Sequence, residues 1–241
     1  MNIYHRNFTG IINYFLDNIC PPFLRDCKYF IYPLMRLAYG REAKLLLEFK
    51  EKFPFMSDSE YAECYRRILN IPLHVKRKTD LNDACVEYIL RRAGDITGKI
   101  LDVGCGGCYV LNRIALANPN LECHGADSVP RTVPCAEGRT PIVVHKADIV
   151  DMPFPDHSFD MVICTHTLEH LRDPRKALNE LIRIAKRRLI IVVPRQREYR
   201  YTIDFHVNFY PYMYSFKRFI GIENAVYLNI KGDFLCCIDF D

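Results

Sequence analysis

The sequence predicts an α/β fold in which an N-terminal helical cap precedes a doubly wound, mostly parallel sheet. Five short apolar runs recur about 20 residues apart and alternate with helical patterns, which is typical of parallel strands buried on both faces. Two further apolar runs joined by a tight turn close the chain, and helical spacing interrupted by prolines fills the beginning. Together these features predict one main domain with an appendage.

Residues 1–80 form the predicted cap. Phe, Tyr and Leu recur there at helical spacing, as at Leu34, Leu37 and Ala38. Prolines are expected to divide the region into short helices, at positions 21, 22, 33, 54 and 72. We expect the apolar faces to pack against the main domain; a lid and a membrane-surface helix are the alternatives.

Residues 81–241 form the predicted main domain. An amphipathic helix ends at Gly94, and the five apolar runs follow at 100–103, 121–126, 141–145, 159–164 and 189–193. The last two runs, 225–230 and 234–240, flank Lys231-Gly232-Asp233. That connection is too short for a parallel crossover, so an antiparallel hairpin is predicted.

Composition excludes several classes of protein. A net charge of +4 is too mild for a chain that follows phosphates on nucleic acid. No run is long and apolar enough for stable membrane insertion, and the beginning lacks a secretory leader pattern. The 11 cysteines lack the spacing of a disulfide framework, so we expect reduced thiols and a cytoplasmic protein; no oligomeric state is indicated.

The turn after the first strand is the main candidate for a binding site. Residues 100–110 read I-L-D-V-G-C-G-G-C-Y-V, and Gly104, Gly106 and Gly107 let the backbone approach a ligand closely. A metal held by Cys105 and Cys108 is one alternative, but no matching second pair follows at zinc-module spacing. A dinucleotide fingerprint is another, but it needs a glycine where Tyr109 stands.

Acidic residues follow successive strands of the predicted sheet. Asp102 would repel a pyrophosphate but attract an ammonium group. Asp127 ends the second strand about 20 residues beyond Gly106, where an acid can accept both hydroxyls of a ribose. Asp148 could accept from an exocyclic amine while Ile149 packs against a base. The set indicates a nucleoside that carries an amino acid.

Four motifs resemble the class I S-adenosylmethionine-dependent methyltransferases, and most closely their small-molecule, methyltransferase type 11-like branch, which includes ubiquinone-pathway and sugar methyltransferases. The motifs are residues 100–110, Gly125-Ala-Asp-Ser128, Ala147-Asp-Ile149 with 153–160, and Thr167-Leu-Glu-His170 with 171–174. The resemblance implies a Rossmann-like sheet of seven strands and S-adenosylmethionine as cofactor. Cys108 departs from it, because the family usually has a third glycine there.

The resemblance also implies roles for individual residues. Asp102, Gly104 and Gly106 would hold the methionine portion of the donor, with Cys105 beside them. Asp127 and Ser128 would contact the ribose, and Asp148 and Ile149 the adenine. Thr165, just past the fourth strand, would lie near the sulfonium.

Candidate catalytic residues follow the fourth strand and the fifth. A hydroxyl acceptor needs a base, and His166, Glu169 and His170 lie just after strand four. His206 lies in a polar and aromatic insert after strand five, and we predict His170 or His206 as the base. His166, Glu169, His170 and His206 also resemble a divalent-metal set in some members, but His replaces the first Glu, so a metal is not favoured.

The predicted activity is O-methylation of a small-molecule acceptor. Arg195, Arg197 and Arg200 after strand five would suit an anionic acceptor, and with the Tyr- and His-rich insert they suggest a saccharide or nucleotide-linked sugar, as in polysaccharide biosynthesis. N-methylation of an amino sugar and a catalytically inactive donor-binding scaffold are the alternatives.

Overall fold

The computed structural model describes residues 15, 19–69, 79–130, 141–201 and 205–240. These residues divide into two compact units: one contains the described residues up to 69 together with Gln196–Phe209, and the other contains residues 79–195 and 210–240. We call them the N-terminal unit and the sheet unit. Among the described residues, no helix is both long enough and apolar enough to cross a bilayer.

The N-terminal unit is helical, as predicted. Its helices are α1 (Pro22–Arg25), α2 (Lys28–Tyr39), α3 (Ala43–Lys52) and α4 (Asp58–Leu69), with 3-10 turns at Gly40–Glu42 and Phe53–Phe55. Pro33 was predicted to divide two helices, and this prediction is wrong, because Pro33 lies inside α2. Leu37 is 75% exposed, so the expectation that this apolar position is packed is wrong. Pro72 lies outside the described residues.

The core of this unit joins α2 and α3 to a segment far along the chain. Phe49 and Phe205 are buried against each other, with ring centroids 4.2 Å apart in an edge arrangement. Arg25 is buried, donates from Nη1 to the carbonyl of Tyr201 at 3.2 Å, and lies over the ring of Tyr199. The Nζ of Lys50 donates to the carbonyl of Tyr199. These contacts explain why Gln196–Phe209 belongs to this unit.

The sheet unit contains a seven-stranded sheet in the order β3-β2-β1-β4-β5-β7-β6. Its strands are β1 (Lys99–Val103), β2 (Glu122–Asp127), β3 (Val143–Lys146), β4 (Phe159–Thr165), β5 (Ala185–Pro194), β6 (Val226–Ile230) and β7 (Asp233–Asp239). Strands β1 to β5 pair in parallel, whereas β7 is antiparallel to both β5 and β6. The five predicted strands and the closing hairpin are confirmed.

Helices cover both faces of the sheet. Successive residues of the central strands point to opposite faces, so each strand contributes to two cores. Ile100, Ile163 and Ile190 share a core with α5 (Asp83–Ala93) and α6 (Tyr109–Ala117). Leu101, Val162 and Ile191 share the other with α7 (Pro174–Ile184) and α8 (Met213–Ile220). This two-sided burial is why the strands are continuous apolar runs.

Candidate active site

The turn between β1 and α6 requires glycine for two different reasons. Gly104 has φ +76°, and a Cβ there would lie 2.1 Å from Oγ1 of Thr167, so contact and conformation both exclude a side chain. Gly106 has φ +50°, but a Cβ on Gly106 or Gly107 would meet no atom within 4 Å. The backbone at 106 and 107 therefore borders open space where a ligand can approach closely.

Cys108 occupies a backbone conformation that favours glycine. Its φ is 53°, in the left-handed region that few residues with a Cβ adopt, and it caps the beginning of α6. Its thiol is buried and lies beside Gly125 of β2, as does the thiol of Cys105. Cys108 therefore meets the conformational need for the family's glycine while its side chain lies in the core.

Cys105 was predicted to lie beside the bound cofactor. Its backbone amide and carbonyl are both hydrogen-bonded within the protein. Its amide donates to the carbonyl of Ala126 at 3.2 Å, and its carbonyl accepts from the amide of Cys108 at 2.7 Å. A hydrogen bond with Cys108, followed by burial, raises the pKa of the Cys105 thiol. Since a metal requires thiolate ligands, the raised pKa of Cys105 weighs against Cys105 as a metal ligand.

Asp102 is a buried carboxyl group beneath this turn. It is only 3% exposed, and its Oδ1 has no hydrogen-bond partner within the described ranges. Burial, followed by the nearby charge of Asp127, raises the pKa of Asp102 to about 8. A buried polar group without a partner is costly, and a cation beside it would relieve both the burial and the repulsion.

Asp127 is fixed at the end of β2 by two backbone amides. Its Oδ2 accepts from the amide of Gly106 at 2.9 Å, and its Oδ1 accepts from the amide of Val129 at 2.8 Å. Each carboxylate oxygen keeps a second lone pair, so the half-buried group can still accept from a ligand. Ser128 follows it and is exposed.

The predicted adenine contacts lie after β3. Asp148 is exposed, and its Oδ1 accepts from the amide of Val150 at 3.1 Å in a local turn. Ile149 is buried in the core on the β4 and β5 side of the sheet. Asp148 therefore has a structural role in this turn, and its side chain stays exposed beside the buried Ile149.

His166 lies among acidic residues just past β4. Its φ is 49°, and its Nε2 lies 3.3 Å from Oδ1 of Asp233 while its Nδ1 lies 3.7 Å from Oε1 of Glu169. Burial alone would lower the pKa of His166, but the hydrogen bond and charge of Asp233, with Glu169 and Asp80, raise it to about 9. His166 is therefore an imidazolium at neutral pH that joins the loop after β4 to the closing hairpin.

Glu169 and Tyr210 bring polar groups into the interior near the end of β4. Glu169 is fully buried in the 3-10 helix Leu168–His170. The backbone of Tyr210 forms an isolated parallel β-bridge with Arg195, just after β5. The buried hydroxyl of Tyr210 has no hydrogen-bond partner in the part of the chain that the structure describes. Burial, with the charge of Glu169, raises the pKa of Tyr210, so the phenol stays protonated and can donate.

The two predicted bases belong to different units. His170 is half-buried in the sheet unit, and its amide donates to the carbonyl of Thr167 at 3.1 Å. His206 is buried in the N-terminal unit, where its Nδ1 contacts Oε1 of Gln196. Thr165 is half-buried at the end of β4, and its carbonyl accepts from the hydroxyl of Thr167 at 3.1 Å.

The predicted arginine cluster is divided in the same way. Arg195 belongs to the sheet unit, is exposed, and donates from its amide to the carbonyl of Gly232 at 2.9 Å. Arg197 is also exposed but belongs to the N-terminal unit. Arg200 lies in the N-terminal unit with its Nη2 3.4 Å from Oε1 of Glu51.

Two residues of this region were not predicted from the sequence. The sequence indicated Asp233 only as a turn residue and Tyr210 only as one aromatic residue among several.

The fold defines a class of protein, the open α/β sheets, in which ligands bind beyond the carboxyl ends of the strands. Residues 101–193 match the family model described as "Methyltransferase domain". The sheet unit is a class I S-adenosylmethionine-dependent methyltransferase domain, and S-adenosylmethionine is the cofactor of that class. The buried carboxyl of Asp102 fits the ammonium group of S-adenosylmethionine. The open space at Gly106 and Gly107 lets the cofactor approach the backbone.

Known proteins similar to this chain include both N- and O-methyltransferases. Ajmaline N-methyltransferase of Rauvolfia serpentina is 32% identical over 102 residues, 39% of this chain and 35% of the relative. A ubiquinone biosynthesis O-methyltransferase of Alkalilimnicola ehrlichii is 29% identical over 122 residues, 48% and 47% of the two chains. The chain thus spans less than half the length of these curated relatives.

Among solved structures, a SAM-dependent methyltransferase from Aquifex aeolicus is similar with a TM-score of 0.49. The two chains are 20% identical, and the match covers 76% of this chain and 97% of that one.

Proposed function

We propose that this protein transfers a methyl group from S-adenosylmethionine to oxygen on a small-molecule acceptor. The observation that carries the proposal is the carboxyl of Asp102, which is buried beneath the turn of Gly104–Gly107 and whose Oδ1 has no hydrogen-bond partner among the residues that the structure describes. A group in that state suits the ammonium of an amino-acid portion, and that cation would return Asp102 to its ionised form.

The remaining donor contacts follow from the same geometry. The backbone at Gly104, Gly106 and Gly107 lets the ligand lie close to the turn, and Asp127 accepts from ribose hydroxyls while two amides hold its carboxylate in place. Ser128 lies beside the ribose, Asp148 and Ile149 contact the adenine, and Thr165 lies near the sulfonium. When bound, the cofactor supplies an electrophilic methyl group.

On the acceptor side, the protein's task is to align a hydroxyl and remove its proton. We assign the base to His170, with His206 as the second candidate. Tyr210 donates to the acceptor through its protonated hydroxyl, and Glu169 orients a hydroxyl by accepting from it. The exposed Arg195 of the sheet unit supports an anionic acceptor such as a nucleotide-linked sugar or another saccharide.

A second candidate function is N-methylation of an amine. It is favoured by Glu169, because a fully buried carboxyl group can accept the proton that an amine gives up as its nitrogen is methylated. An amine also needs less from a base. Replacing His170 and His206 separately by Ala discriminates the two: loss of turnover in either variant supports oxygen chemistry, and intact turnover in both supports the amine.

The experiment that tests the proposal begins with the donor. Calorimetric titration with S-adenosylhomocysteine, with NAD as the comparison ligand, should give binding of the former alone. A screen of nucleotide sugars, oligosaccharides and amino sugars with labelled S-adenosylmethionine should then give labelled product. Binding without any product in the screen supports the inactive scaffold instead, and binding of NAD alone contradicts the proposal.

A further inference from the structure

Helix α2 is apolar on two opposite faces. Ile31 and Met35 are each 1% exposed and lie in the core of the N-terminal unit. Tyr29, Pro33 and Leu37 recur every four residues on the opposite side, and we call these three residues the outer stripe. Tyr29 is 89% exposed and Leu37 is 75% exposed. A helix that is apolar all round normally has a partner on each side.

Two more exposed apolar residues lie close to the outer stripe in the chain. Phe23 of α1, one short loop before α2, is 75% exposed, and Leu34 beside the outer stripe is 44% exposed. Single exposed apolar residues are common, but contiguous groups of them mark sites where another surface binds.

The charges around the outer stripe select the kind of partner. Residues 27–41 contain Lys28, Arg36 and Arg41, all exposed, and no acidic residue. The flanking Asp26 and Glu42 are each engaged elsewhere, by the amide of Arg200 and by the guanidinium of Arg67. In a symmetric dimer through this face, each copy would present the same cations to the other, which is unfavourable. An anionic surface, in contrast, gains from both the apolar stripe and the cations beside it.

We propose that α2 binds the surface of an anionic phospholipid bilayer. The helix lies along the interface, with Tyr29 and Leu37 among the acyl chains and Lys28, Arg36 and Arg41 at the headgroups. Attachment of this kind is peripheral and requires no spanning helix. The inference rests on the N-terminal unit alone and does not depend on the proposed methyl transfer.

Vesicle cosedimentation of the full chain tests the proposal. The probes are vesicles of phosphatidylcholine alone and of phosphatidylcholine with phosphatidylglycerol. The wild-type protein should sediment with the anionic vesicles, and binding should weaken as salt is raised. Leu37→Glu should lower the affinity about tenfold or more, because burial of one leucine side chain is lost. Lys28→Gln combined with Arg36→Gln should lower the preference for anionic vesicles.

Leu116→Glu is the matched control, since Leu116 is an exposed leucine of α6 in the sheet unit, 51% exposed. It should sediment like the wild type. Because all of these side chains are exposed, circular dichroism and thermal unfolding should show folded protein in each case. The proposal is overturned by wild-type protein that ignores anionic vesicles, by equal losses in Leu116→Glu and Leu37→Glu, or by a dimer that Leu37→Glu dissociates without any vesicle binding.

Discussion

The features that indicate a binding partner differ between the two units. The sheet unit encloses polar groups that have no hydrogen-bond partner among the described residues, including Oδ1 of Asp102 and the hydroxyl of Tyr210. The N-terminal unit also buries Arg25 with its Nε and Nη2 unpaired in the described structure, but its main departure from ordinary burial is on the surface, where Tyr29 and Leu37 of α2 lie in solvent. Each departure costs stability in the isolated chain and is relieved by something from outside, a polar small molecule in one unit and an apolar, anionic surface in the other. The pattern of burial thus indicates which part of the chain binds which kind of partner.

The largest effect is expected at Gly104. Gly104 and Gly221 have nearly equal φ values, +76° and +75°, but a Cβ would collide with Thr167 only at Gly104 and would meet open space at Gly221. Gly104→Ala should therefore lower the free energy of unfolding by about 3 kcal/mol or more. Gly221→Ala should cost only about 1 kcal/mol, the strain alone. Urea unfolding measures both, and equal losses would contradict a tightly packed turn.

The imidazolium of His166 provides the next largest effect. His166→Asn removes the charge that faces Asp233 and Glu169 while keeping a residue tolerant of positive φ. Since the pKa of His166 is raised to about 9, its stabilisation is complete below pH 6.5 and is lost as the pH rises through 9. The wild type should exceed the variant by about 2 kcal/mol at pH 6 and by little at pH 10.

Urea unfolding of both proteins across this range gives the His166 difference directly, because other titrating groups are common to the two. A stability difference that stays constant from pH 6 to pH 10 would show that His166 is not charged in the folded state.

A smaller effect is expected at Tyr210, where stability and activity should separate. Tyr210→Phe removes a buried hydroxyl that has no partner in the described structure, so unfolding free energy should stay constant or rise by about 1 kcal/mol. Turnover should fall about tenfold with unchanged donor affinity, because one hydrogen bond to the acceptor is lost.

The matched control for Tyr210 is Tyr227→Phe. The hydroxyl of Tyr227 donates to the carbonyl of Ile222 at 2.7 Å, so this variant should lose about 1 kcal/mol of stability and no activity. Comparison of thermal unfolding and initial rates measures the contrast. Undiminished turnover in Tyr210→Phe would remove Tyr210 from the acceptor site.

The strands, the closing hairpin and the glycine turn could be predicted from sequence, because each depends on residues close together in the chain. Two features could not. Arg25 meets the carbonyl of Tyr201 across 176 residues, and that contact helps assign Gln196–Phe209 to the N-terminal helices. Asp233 was predicted only as part of a turn, and its pairing with His166 depends on β7 lying beside β5.

The donor site was more predictable than the acceptor site for the same reason. Asp102, Gly104 and Gly106 lie within one strand and its turn, so spacing alone groups them. Glu169 and Tyr210 come together only through the fold. Cys108 shows a limit of sequence comparison as well. The sequence shows only that the family's glycine is absent, whereas the structure shows that Cys108 fits the turn with a φ of 53° and a buried thiol.

The most direct test of the account is calorimetric titration with S-adenosylhomocysteine in two buffers of different ionisation enthalpy, for the wild type, Asp102→Asn and the exposed control Asp95→Asn. With a pKa of about 8, Asp102 is mostly protonated at pH 7, and binding of the ligand's ammonium should release about one proton. That release should be absent in Asp102→Asn, with affinity about a hundredfold weaker, and normal in Asp95→Asn. Proton release and affinity unchanged in Asp102→Asn would contradict the assignment of the donor site.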